Sequence, residues 1–109
     1  MPREDRRVYF DMQESYRAVY SLCEHKSVAK PVSGILQKVD VNLESPLDLD
    51  FYIESNRTGK VEVFVYSIDF VVAALMMLCK DSKIPLPKGV NKHLEITKDK
   101  LILRVQLIR

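Results

Sequence analysis

The residues whose types and spacing could do chemistry fall into three groups. Asp48, Asp50 and Glu54, with Asp40 beside them, recur on one face of an alternating segment. Paired carboxylates can serve as acid and base or hold a hard cation, but either task needs them to converge in a pocket with further ligands. Alternating acids are also what a solvated sheet face looks like, and the sequence is read that way here. His25 and His93 have no partner at i+3 or i+4, and no Cys or His spacing of a zinc site occurs, so no metal site is expected. His25 falls near the end of a predicted helix, where the dipole favours a cation.

The third group is basic. Arg3, Arg6 and Arg7 lie together near the start, and Lys88, Lys92, Lys98, Lys100 and Arg104 lie near the end. The candidate anion-binding residues are therefore Arg3, Arg6, Arg7, Lys98, Lys100 and Arg104, with a cyclic dinucleotide or nucleic acid as the ligand class. After Phe70 no aromatic residue follows on which bases could stack, which disfavours sequence-specific single-strand binding. Arg3 and Arg7 have the R-x-x-x-R spacing that resembles the cyclic di-GMP grip of PilZ domains. The D/N-x-S-x-x-G companion of that family is missing.

Nucleophile and phosphate-loop motifs are missing as well: there is no GxSxG, P-loop or GxGxxG, and only Gly34, Gly59 and Gly89 exist to approach a phosphate. No catalytic residue is assigned and no cofactor is expected. The chain reads as an interaction or regulatory module rather than an enzyme.

The elements that must position these residues follow from composition and period. At 109 residues, 47% hydrophobic and 29% charged, the chain has the composition of one ordered domain over 1–109 that can bury a core without staples. Residues 1–8 read as a polar N-terminal lead. The net charge of +2 implies no polyanionic partner by itself. Its distribution is uneven: 1–34 carries six basic and five acidic residues, 35–69 three and seven, and 70–109 eight and three. Acidic and basic strands placed as neighbours would neutralise that segregation.

Asp11 with Glu14 has capping-box spacing, and Met12, Tyr16, Val19, Tyr20 and Cys23 recur at helical intervals, which predicts a helix to about Lys26. Val39, Val41 and Leu43 then alternate with polar residues, as do Leu47, Leu49, Phe51 and Ile53. After the 55–59 loop, Val61, Val63 and Val65 alternate with Glu62, Phe64 and Tyr66, making an antiparallel hairpin with the preceding strand. Ser67 caps a second helix built on ten consecutive apolar residues, Phe70 to Cys79, whose Val71, Ala74, Leu75 and Leu78 form one stripe. Ten residues of helix span about 15 Å, half of a ~30 Å hydrocarbon layer, so no membrane span is expected. Ile-Pro-Leu-Pro at 84–87 reads as an extended strap over the core. Leu94 and Ile96, a 98–100 turn, and Leu101, Leu103, Val105 and Leu107 predict a final hairpin.

The predicted order is α-β-β-β-α-β-β, an α+β fold of two layers with an antiparallel sheet of about five strands and two helices on one face. No internal repeat is visible. Phe64 and Tyr66, with Ile102 and Ile108, are assigned to outer sheet faces and become the candidate interface of a homodimer or with another protein partner. Cys23 and Cys79 read as buried free thiols in a cytoplasmic protein, and the N-terminus does not have the pattern of a signal peptide. The Asp69 to Leu94 sector, with Arg6-Arg7-Val8-Tyr9-Phe10, is similar to small bacterial proteins that are uncharacterised. That resemblance implies a bacterial origin and no particular activity.

Overall fold

The structure, a computed structural model, describes residues 3–86 and 91–108, with side chains over 5–86 and 91–106. In chain order the elements are β1 (Arg3–Asp11), α1 (Met12–His25), β2 (Gly34–Val41), β3 (Asp48–Ser55), β4 (Val61–Ser67), α2 (Ile68–Asp81), β5 (Asn91–Ile96) and β6 (Lys100–Ile108). The α+β class holds. The expected five-stranded sheet does not, because six strands form two separate antiparallel sheets, β1-β6-β5 and β2-β3-β4. The extra strand is β1, in the stretch read as a polar lead. It pairs along its length with β6, from Arg3 opposite Ile108 to Asp11 opposite Lys100. Its charged residues do not forbid a strand, since one face of an edge strand can stay in water.

Both helices start as their sequences dictate. The Asp11 carboxylate accepts from the Glu14 N–H at 2.7 Å, and the Glu14 carboxylate accepts from the Asp11 N–H at 3.0 Å, closing the capping box. Ser67 accepts from the Phe70 N–H at 3.1 Å. Ser15, Ala18, Val19, Leu22 and Cys23 of α1 and Val71, Ala74, Leu75 and Cys79 of α2 are buried. Met12, Tyr16 and Tyr20, expected on the inner stripe of α1, lie at its margin and are half-buried. The helices pack on each other, and each touches both sheets: α1 meets β1, β6 and β2, and α2 meets β5 and β4. Leu49, Phe51 and Ile53 from β3 and Leu101, Leu103 and Val105 from β6 complete one hydrophobic cluster.

The element order conceals a repeat. Residues 56 positions apart play the same part in each half: Asp11 and Ser67 cap the helices, and His25 and Asp81 end them. The buried Ala18 and Ala74, and Cys23 and Cys79, also correspond. Ser27 and Lys83 both take positive φ, at 55° and 59°. The closing hydrogen bonds match too, Val28 N–H to Cys23 O at 3.0 Å and Ile84 N–H to Cys79 O at 2.8 Å. Leu49, Phe51 and Ile53 answer to Leu101, Leu103 and Val105, with the spacing altered by the irregularity between Leu36 and Lys38 and a longer connection, 42–47 against 97–99. The chain is thus two β-α-β-β units, β1-α1-β2-β3 and β4-α2-β5-β6. Their first strands are exchanged: β1 pairs with β6 and β4 with β3.

Gly34, at the start of β2, is demanded by sterics. A Cβ there would run into the Glu54 carbonyl on the opposing strand. Gly34→Ala is expected to force the β2–β3 pairing apart at that end and to lower stability by about 1–3 kcal/mol. Urea unfolding followed by circular dichroism measures it, and a midpoint equal to that of the unaltered chain would show that the strands yield freely.

Candidate functional site

Strand parity distributes the chemistry-bearing residues over faces. In sheet β1-β6-β5 the even-numbered residues of β1 point toward the helices, with Phe10 in the core, and the odd ones point outward. Arg6 and Arg7 therefore diverge. The Arg6 guanidinium donates to the Pro85 carbonyl at 2.8 Å and ties the strap to β1. Arg7 lies outside, 3.6 Å from the Glu95 carboxylate. Arg104, directly opposite Arg7 in the register, donates to both oxygens of Asp5, at 3.1 and 2.7 Å, and approaches Glu95 at 4.0 Å. Lys98 is in the β5–β6 connection, and Lys100 is exposed at the far end of β6, opposite Asp11. The Arg3 side chain lies outside the described residues. The five described candidate cations do not gather at one site, and Arg7 and Arg104, near the sheet centre, are paired with carboxylates.

Ile102 shares this outer face but is only 6% exposed, because it sits between Tyr9 and Glu95 on the flanking strands. It does not present an open apolar surface. The Ile108 side chain lies outside the described residues.

In sheet β2-β3-β4, the register places Leu49, Phe51 and Ile53 opposite Tyr66, Phe64 and Glu62. Residues opposite each other share a face, so Phe64 and Tyr66 point inward and are half-buried against the core. Tyr66 packs edge-on to Phe51 at 5.3 Å and stacks on Phe70 at 5.6 Å. Burial, reinforced by the neighbouring Cys23 thiol, pushes the Tyr66 hydroxyl pKa far above its usual value. The expected assignment of these two aromatics to the outer face is reversed. The outer residues of β4 are Val61, Val63 and Val65, each about half exposed at 53%, 50% and 52%.

Beside those valines the outer face holds Asp48, Asp50, Tyr52 and Glu54 from β3, and Ile35, Lys38 and Asp40 from β2. The carboxylates lie along a strand and do not converge in a cleft. Asp50 accepts from the Asn42 side-chain amide at 2.8 Å, and Lys38 reaches Asp40 at 3.2 Å while lying 4.5 Å over the Tyr52 ring. Among the described residues no group of three or more His, Cys, Asp or Glu is placed to hold a metal ion. The acidic and basic strands are not neighbours as expected. They lie in different sheets, and each sheet neutralises part of its charge locally.

Two clefts lie between a helix and the first residues of the strand that follows it. One of about 540 Å³ is bounded by Met12, Tyr16 and Arg17 of α1 with Ile35 and Leu36 of β2. The other, of about 550 Å³, is bounded by Ile68, Val72 and Met76 of α2 with Lys92 and Leu94 of β5. They occupy equivalent places in the two repeats. Asp69 and His93 also line the second, beside Lys92. The Tyr16 hydroxyl at the first is tied to the Val32 carbonyl at 2.9 Å, and burial raises its pKa.

The class that fold and surfaces define is an α+β protein of two strand-exchanged β-α-β-β units, without a convergent catalytic constellation among the described residues. No helix among them is long and apolar enough to cross a membrane. No family model, curated protein or solved structure matches the chain.

The ion pairing makes a measurable prediction. The hydrogen-bonded Arg104 guanidinium holds the Asp5 carboxyl below the usual aspartate range. A depressed folded-state pKa favours the folded protein above the unfolded pKa, and that contribution disappears as pH falls through the folded value. Carbon-13 NMR titration should place the Asp5 midpoint below that of an unpaired aspartate. Arg104→Gln should move it upward, and an unchanged midpoint would mean that the pair does not persist in solution.

Proposed function

We propose that this chain is a small non-enzymatic interaction or regulatory module that works as a homodimer. The observation that carries the reading is the strip formed by Val61, Val63 and Val65, half exposed, with Tyr52 opposite Val63 on the same sheet face. A contiguous apolar strip on a polar sheet face is the usual mark of a contact surface. Leu43 and Leu47, at 99% and 76% exposure in the β2–β3 connection, add apolar area to the same half of the molecule. A cytoplasmic setting is supported by Cys23 and Cys79, both free and buried. The bacterial origin rests on the sequence resemblance alone.

Anion binding through Arg6, Arg7 and Arg104 has less support. Each already serves a carbonyl or a carboxylate, and an incoming phosphate would have to displace Asp5 and Glu95.

Size-exclusion chromatography with light scattering tests the reading. The expected mass is twice the 12.6 kDa chain, and a single-chain mass at every concentration removes the dimer. Titration with a cyclic dinucleotide and with DNA at about 50 mM salt, where electrostatic affinity is strongest, should give no binding. Saturable binding there would favour the anion-binding alternative.

A further inference from the structure

Each sheet has two edge strands, and an edge is a row of unpaired N–H and C=O groups that can recruit another chain. Three of the four edges carry features that discourage pairing. β1 contains Glu4, Asp5, Arg6 and Arg7, and β5 contains Lys92, His93 and Glu95. β2 is broken by the register shift between Leu36 and Lys38 and carries Lys38 and Asp40. β4, Val-Glu-Val-Phe-Val-Tyr-Ser, has no proline, no register shift and one charge, Glu62.

The direction of its backbone groups follows from two hydrogen bonds. The Ile68 N–H donates to the Leu47 carbonyl at 2.9 Å, and the Ser55 N–H donates to the Lys60 carbonyl at 2.9 Å. Even-numbered residues along this strand therefore bond to β3. The N–H and C=O groups of Val61, Val63 and Val65 and the N–H of Ser67 turn the other way, and among the described residues no strand pairs with them.

Resting on the interaction-module reading, we propose that the β4 edge is the dimer interface. A second copy pairs antiparallel to the first about a two-fold axis at Phe64, joining two three-stranded sheets into one of six strands. In that register Val63 of one copy lies opposite Val65 of the other, and Val61 lies opposite Ser67. The outer face then carries one continuous valine strip. Glu62, which is solvent-exposed near the hairpin end, faces Tyr66 of the other copy. A two-fold through Val63 instead would make the two Glu62 carboxylates diagonal neighbours, so charge selects the first register. The acids of β3 do not oppose the dimer strongly. Two β3 strands separated by both β4 strands are three strand spacings apart, about 14 Å, which exceeds a Debye length of about 8 Å at physiological salt. A strip without charge or steric bulges complements a copy of itself, which is what a two-fold interface requires.

The test combines light scattering with amide exchange on the full chain. Val63→Lys is suited to it because Val63 lies opposite Tyr52, with Asp50 and Glu54 as diagonal neighbours that accept a lysine within the folded chain. Across the axis the two introduced lysines become diagonal neighbours and repel. The expected result is a dimer for the unaltered chain with slowly exchanging Val61, Val63 and Val65 amides. Val63→Lys should weaken association by about 100-fold or more, keep its circular dichroism spectrum, and lose that protection. Mixing the Val63→Lys and Val63→Glu chains should restore association. A dimer that persists in Val63→Lys overturns the edge interface and leaves the interaction-module reading standing. A monomer at every concentration, with the three amides exchanging rapidly, overturns both the interface and the dimer.

Discussion

The constraint on which the structure depends is the exchange of first strands between its two halves. Each three-stranded sheet takes two strands from one β-α-β-β unit and its third from the other. A unit by itself would have a two-stranded ribbon, one helix and a loose strand, which is too little to bury Leu49, Phe51 and Ile53 or their counterparts Leu101, Leu103 and Val105. Exchange makes the halves obligatory partners. It also makes the pairing of β1 with β6 close nearly the whole chain, from Arg3 to Ile108, so much of the fold rests on contacts of large sequence separation.

The same constraint explains the role of the apolar helix. α2 has to follow β4 out of one sheet and lie against β5 of the other, while α1 does the reverse between β1 and β2. Each helix is therefore wetted on a narrow face and buried by two sheets and a neighbouring helix. The long run from Phe70 to Cys79 meets that demand: Val71, Ala74, Leu75 and Cys79 are fully buried, Val72, Met76, Met77 and Leu78 are half-buried, and Ala73 faces water. Ile84 and Leu86 border the same helix, and the Arg6 bond to the Pro85 carbonyl holds that strap in place.

Local features were legible in the sequence because local physics sets them. The Asp11 and Ser67 caps, the two helices and the β3–β4 and β5–β6 hairpins follow from capping chemistry and period. What escaped was decided by pairing at long range. β1 reads as a charged lead because its partner lies at the other end of the chain. The sequence alone puts Phe64 and Tyr66 on the wrong face because both parities of β4 are apolar, and only the register with Leu49 and Phe51 decides between them. The repeat is hidden because few letters coincide; Ala18 with Ala74, Leu22 with Leu78 and Cys23 with Cys79 preserve the helix–helix contact while Tyr16 and Tyr20 correspond to Val72 and Met76. The scattered cations looked like one group in sequence, but strand parity sends Arg6 and Arg7 to opposite faces.

The two exchanged strands show most clearly where the halves have been asked for different things. β1 and β4 occupy equivalent positions, each leading into a capped helix and each lining one edge of a sheet. An edge needs protection from other chains unless pairing is its purpose. β1 carries Arg7 and Asp5 outward, and these join Glu95 and Arg104 in ion pairs. β4 carries valines at its outward positions, beside a β3 whose outer face holds three carboxylates. Had solubility alone shaped that surface, threonine or lysine would have served the strand as well, with better charge balance beside Asp50 and Glu54. The valines lie outside the hydrophobic core of the single chain, and that difference from β1 is what the proposed edge pairing rests on.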